Sequence, residues 1–245
     1  MKRRYTGWIP GPEDDRDYAF SDLSIGGDLP DTMSLVEYIT RIYDQGSTGS
    51  CVAQAINMAY CILDTVETGY FHGSLSRLFL YYNARAYVNA QWRDSGCQPR
   101  LAMRGLQKLG VPAEEYWPWS TSTLTVRRQP SWLAYSHAYR NRNLTYRKIG
   151  ADRAYEVKNA IALKKPVVIG LEISKAFKNN QGKLVIGTPQ KKDVVGRHMV
   201  TIVAYSPDGF TIANSWGTDW GKGGFGVISN EYLESNRIGD LYALG

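Results

Sequence analysis

The feature that most constrains this chain is a change in the period of its apolar residues around Trp117-Pro118-Trp119. Upstream, Val52, Ala55, Ile56, Ala59, Ile62, Leu63 and Val66 recur at three and four, and Gly69 supplies a stop. That spacing predicts a helix from Cys51 to about Glu67. Residues 74–88 and 100–110 read as two more, the second closed by Gly110 with Pro112 just beyond. Downstream, helical stretches near Trp132–Arg142 and Asp152–Leu163 give way to short Val- and Ile-rich runs at 166–173, 183–187, 199–205, 210–214 and 225–229, separated by turn residues such as Ser206-Pro207-Asp208-Gly209. These runs read as strands. The expected fold is therefore α+β in two lobes: a mainly helical lobe over 25–118 and a β-barrel lobe over 119–245, packed as one domain with a groove between them. Residues 1–24 read as an extended arm, since Gly7, Pro10 and Pro12 break helix and the charged run 13–17 has no apolar period.

Composition excludes several function classes. The 29 Lys and Arg exceed 23 Asp and Glu by six. They form no dense block beyond the local stretch Arg140–Lys148, which reads as a solvated face and not as a nucleic-acid site. No run approaches the roughly 18 apolar residues of a membrane span, and the start, MKRRYTGWIPGPEDD, lacks the apolar core of a signal peptide. Three cysteines, Cys51, Cys61 and Cys97, are too few and odd in number for a disulfide framework. A cytoplasmic location is expected, and export without a signal peptide is compatible with the same sequence. Neither the cysteines nor the histidines have metal-ligand spacing, and no P-loop or dinucleotide fingerprint occurs, so neither a metal nor any other cofactor is expected.

The chemistry concentrates in two segments. Asp44-Gln45-Gly46-Ser47-Thr48-Gly49-Ser50 is a glycine-punctuated loop leading into the first helix, which puts Cys51 on its first turn. Unpaired backbone N–H groups and the positive end of the helix dipole favour a thiolate there. Gln45, six residues upstream, is placed to direct its amide N–H to the same point as the Cys51 N–H, forming an oxyanion hole. A nucleophilic thiol needs a base, and the chain has three histidines, His72, His137 and His198. His198 directly precedes an apolar strand, and Asn214 ends the next one in FTIANSWGTDWGKGGFG. Two antiparallel strands turning at Pro207-Asp208-Gly209 bring His198 and Asn214 together, so that the amide oxygen accepts the imidazole N–H. Trp216 is placed to shield that bond. His72 and His137 lack a partner motif and read as surface or packing residues.

Taken in order and spacing, DQGSTGSC, the isolated His198 and NSWGTDWGKGGFG resemble the papain family of cysteine peptidases. Asp94-Ser95-Gly96, LQKLGVPAEEYWPW and KKPVVIGLEI add secondary matches from about residue 40 onward, and GWIPGPEDDRDYAF is similar to short N-terminal arms of bacterial and viral members. The resemblance implies acyl transfer on a polypeptide substrate: Cys51 attacks a peptide carbonyl, His198 protonates the leaving amine and then activates water, Asn214 orients His198, and Gln45 with the Cys51 N–H holds the oxyanion. An endopeptidase is expected. Alternatives are an acyltransferase or isopeptidase on the same site, and a silent peptide-binding module. The resemblance also marks departures. Thr48 stands where most relatives carry a cysteine, so the disulfide to the segment near 97 is missing. Val52 replaces the aromatic that usually follows the nucleophile. Gln98, Pro99 and Arg100 occupy a region where relatives have substrate-binding glycines. Gly96, Gln98, Arg197, Met199 and Trp216 are the expected substrate contacts, with Met199 narrowing the pocket two positions before the scissile bond and Arg197 favouring an acidic group. The 1–24 arm is expected to regulate by lying across the cleft.

Overall fold

The computed structural model describes residues 4–15, 17–23, 28–71, 73–182 and 185–245. The expected helices appear as α1 (Cys51–Thr68), α2 (Arg77–Ala86) and α3 (Pro99–Leu109), followed by α4 (Thr123–Arg127), α5 (Trp132–Ala138), α6 (Arg153–Ala162), α7 (Lys175–Lys178) and α8 (Asn230–Glu234). Local chemistry sets their ends. The Ser76 hydroxyl accepts from Phe79 N at the start of α2, Asp152 caps α6 in the same manner, and Pro99 occupies the first turn of α3, where a missing N–H costs nothing. Gly69 ends α1 in the left-handed region at φ 73°, which a side chain would resist.

Among the described residues, seven strands, β1 (Met33–Ser34), β2 (Tyr146–Lys148), β3 (Val167–Ser174), β4 (Val194–Ser206), β5 (Gly209–Ala213), β6 (Phe225–Ile228) and β7 (Ile238–Leu244), form one antiparallel sheet. Its order is β2-β7-β3-β4-β5-β6, with β1 alongside β4. β3 and β4 are the long central pair, in a register that sets Gly170 opposite Met199 and Leu171 opposite His198. The β4–β5 hairpin turns between Ser206 and Gly209, as the sequence predicts.

Two apolar clusters make the lobes, and α1 lies between them. Val52, Ala55, Ile56, Ala59 and Leu63 pack with α2, α3 and their surroundings, whereas Met58 and Ile62 pack with the sheet. Because both faces of α1 are covered, every residue from Cys51 to Leu63 is buried. The Thr201 hydroxyl donates to Ala55 O at 3.0 Å and ties β4 to this helix.

Packing differs from the expected boundaries at both ends. Val126, Ala134, Ala138 and Leu144 pack in the same cluster as α1–α3, as do Val168, Met199, Tyr242 and Leu244 of the sheet. Phe20, Leu35 and Tyr43 belong to the sheet cluster, so the chain before α1 packs on the other lobe. Of the strand expected at 183–187, residues 183 and 184 lie outside the described residues, and Ile186 makes a single bridge to Ile228. His72 also lies outside them. Among the described residues, no helix is long and apolar enough to cross a membrane.

Candidate active site

Cys51 opens α1 directly after Ser50. The preceding loop is fixed by its own polar groups. Gly46 N donates to Asp44 Oδ1 at 2.8 Å, and the Thr48 hydroxyl lies 2.8 Å from both Gln45 O and Ser50 Oγ. Gly49 N donates to Asp94 Oδ1 at 2.9 Å, and the Tyr81 hydroxyl donates to the same oxygen at 2.5 Å. Asp94 thus joins the two segments that lack the disulfide, and the three cysteines are free. On the opposite side, Gln45 N donates to Ser215 O and Gly217 N to Tyr43 O, which fastens this loop to the segment after β5.

That second contact orients Gln45. Its Oε1 accepts from the Ser215 hydroxyl at 2.7 Å and its Nε2 donates to Thr48 O at 2.7 Å, so one amide hydrogen remains. A nearby oxyanion could take that hydrogen. Sequence reasoning missed Ser215, although NSWG places a hydroxyl beside Asn214.

His198 lies on β4, and its Nε2 is 2.7 Å from Asn214 Oδ1. Ser215 N–H donates to the same oxygen at 2.7 Å, which fixes it as an acceptor. The proton therefore sits on His198 Nε2. The other nitrogen, Nδ1, is buried and has no hydrogen-bond partner among the described residues, the Cys51 sulfur included. Trp216 stacks on the imidazole at 4.2 Å and 23°, and both are buried. The pair expected from the sequence forms, and Trp216 covers it.

Burial dominates the electrostatics. Cys51 and His198 are each 0 % exposed. Burial pushes the Cys51 thiol up to about 12, outweighing the backbone N–H groups of Met199, Gly7, Val52 and Cys51 itself, which favour the thiolate. Burial likewise lowers His198 to about 3; the Asn214 hydrogen bond opposes this, and Lys178 adds to it. In this state the sulfur is a thiol and the imidazole is neutral.

The cover is residues 4–12. Trp216 Nε1 donates to Tyr5 O at 3.0 Å, and Arg4 lies over the Trp216 ring. Cys97 N donates to Gly7 O at 3.0 Å while Ile9 N donates to Cys97 O at 3.2 Å, a parallel bridge that brackets Trp8. The fit at Gly7 excludes any side chain, since a Cβ there would lie 1.8 Å from Gly49 O. What this segment presents to the Cys51 sulfur is the Gly7 amide N–H, not a carbonyl carbon.

The expected substrate contacts separate into three groups. Gly96 meets the covering segment so closely that a Cβ on it would fall 2.2 Å from Gly7 O, and Met199 is fully buried in the same cluster as Trp8. Trp216 binds Tyr5. Arg197 instead points outward and pairs with Glu172 at 3.4 Å, so the acidic group it favours belongs to this chain. Gln98 directly precedes α3, and it is the neighbouring Cys97 whose backbone pairs with the covering segment. His137 stacks on Tyr116, far from any role with the thiol.

A buried thiol at the start of a helix, touched by the backbone N–H of Met199, and a sheet-borne histidine beside that residue, paired with an asparagine, fit the class of cysteine peptidases. The chain belongs to the papain family of cysteine proteases, whose family profile matches residues 29–240. Among solved structures, xylellain, a cysteine protease from Xylella fastidiosa, is similar over 100% of this chain and 98% of its own, at 27% identity and a TM-score of 0.87. An uncharacterised peptidase C1-like protein of Acanthamoeba polyphaga mimivirus is 29% identical over 89% of this chain and 73% of its own length. Papain of Carica papaya is 24% identical over 99% of this chain and 68% of its own. The protein is a papain-like cysteine peptidase, a family that acts on polypeptides.

Proposed function

We propose that the protein is an endopeptidase in which Cys51 is the nucleophile, His198 the acid–base residue, Asn214 its orienting partner and Gln45 the side-chain donor to the oxyanion. The observation that carries this reading is the 2.7 Å bond from His198 Nε2 to Asn214 Oδ1, which leaves Nδ1 unpartnered beside β4's contact with the sulfur. The free Nδ1 takes the thiol proton as sulfur adds to the carbonyl carbon. It returns that proton to the amine as the C–N bond breaks, then draws one from the water that releases the acyl group. Residues 4–12 keep the enzyme inactive: they exclude water from both groups and offer the sulfur an N–H, which cannot be attacked.

Intact-mass analysis after treatment with a thiol-directed epoxide, alongside cleavage of an unstructured protein, tests the assignment. One adduct is expected, absent in Cys51→Ala and slowed in His198→Ala, with internal cleavage sites in the products. Labelling spread equally over Cys61 and Cys97 would overturn it.

A further inference from the structure

Trp8 anchors the segment whose Gly7 N–H meets the thiol. Its indole enters a slot whose floor lacks side chains: a Cβ on Gly170 would lie 2.3 Å from the ring, and one on Gly239 would lie 3.1 Å away. At the end of the slot, Asp240 Oδ2 accepts from Trp8 Nε1 at 2.8 Å and from Gly11 N at 2.8 Å. Asp240 adopts φ 45°, a conformation that costs a side-chain-bearing residue free energy and is held by its surroundings. The Cys97 backbone brackets Trp8 through contacts that any extended chain can make.

We propose that Asp240 is a specificity-determining residue and that the Gly170–Gly239 slot takes a tryptophan side chain of the polypeptide substrate. This rests on the peptidase reading above. When residues 4–12 leave, Asp240 Oδ2 loses both donors, and among the described residues Oδ1 keeps a 3.4 Å contact with the Tyr242 hydroxyl. A substrate that restores an N–H at that point is favoured over one that leaves the carboxylate unpaired. The two glycines give the slot the depth of an indole. The adjoining cavity of about 290 Å³ carries Arg100, Lys148, Arg197 and Arg237, which pair with Asp17, Glu13 and Glu172, so the donor preference rests on the neutral indole N–H that Asp240 accepts here.

The test uses the full chain carrying Gly7→Ala, in which the clash with Gly49 O keeps the cover out of the cleft. Peptidyl epoxides that differ only in one residue, Trp, Phe, Leu or Arg, at each of the three positions before the electrophile are compared by the rate of Cys51 labelling. At one position, Trp should exceed Phe by about tenfold to a hundredfold, the range expected for a hydrogen bond to a charged acceptor. Adding Asp240→Gly, which suits the positive φ and removes the carboxylate, should bring the ratio close to one, and Asp240→Asn should restore part of it. Equal rates for Trp and Phe, a preference for Leu or Arg, or a Trp preference that survives Asp240→Gly would overturn the slot assignment while leaving Cys51 as the nucleophile. Failure of every probe to label Cys51 would overturn both.

Discussion

Replacing Trp8 with Ala in the full chain should expose Cys51. Trp8 is 5 % exposed and donates to a carboxylate, so the substitution removes both a large apolar contact and a charged hydrogen bond. A buried tryptophan covers about 150–250 Å², worth ~4–6 kcal/mol at 25 cal/mol per Å² as an upper bound, and truncations of this kind cost about 3–5 kcal/mol. The remaining contacts, Tyr5 to Trp216 and Gly7 to Cys97, still hold the segment, so about 3 kcal/mol of lost closure is a reasonable measure. That raises the open population about a hundredfold. While the closed form predominates, the rate of labelling by a neutral thiol-directed epoxide follows the open population, so it should rise by a similar factor. Gly7→Ala reaches the same end by a separate route, through the 1.8 Å approach to Gly49 O. Trp132→Ala, at a tryptophan 81 % exposed on α5, is the control and should leave the rate unchanged. If Trp8→Ala and Gly7→Ala both label at the wild-type rate while unfolding with wild-type cooperativity, residues 4–12 do not gate the thiol.

Three further outcomes are expected. Ser215→Ala frees Gln45 Oε1 and loosens the amide that faces the oxyanion, so kcat should fall about tenfold with KM little changed; a change in KM alone would refute the orienting role. Asp94→Ala leaves Gly49 N and the Tyr81 hydroxyl without their shared acceptor and should lower stability by about 1–3 kcal/mol in urea unfolding, whereas an unchanged midpoint would show that the two segments need no such tie. His198 has a folded-state pKa of about 3 against an ordinary 6.5, so between those values the unfolded chain binds the extra proton. Stability should therefore fall as pH drops through that window, by up to ~1.4 kcal/mol per unit; urea midpoints that decline equally in wild type and His198→Asn would refute this.

Sequence spacing was enough to bring Cys51, His198 and Asn214 into view, because Cys51 opens α1, Asn214 directly follows β5, and His198, though inside β4, heads that strand's apolar run. α1 announces itself by its period, and β4 and β5 by their Val and Ile content and the Pro207-Asp208-Gly209 turn. The elements that escaped notice have no such signal. β1 and β2 contain two and three residues, and β7, IGDLYAL, interrupts its alternation at Gly239 and Asp240. Those interruptions are what shape the slot for Trp8. The same holds for the covering segment: Gly7, Pro10 and Pro12 identify it as extended, but its seat depends on Gly49, Gly96 and Gly170, which come from three distant parts of the chain. A glycine read in sequence marks a turn, whereas here Gly170 lies inside a strand and matters for the side chain it lacks. The proposed catalytic groups were legible because their chemistry requires particular side chains, and these stand beside apolar runs whose period the sequence shows. The groove was less so, because its shape comes from backbone approaches between residues more than 40 positions apart, and only packing brings those together.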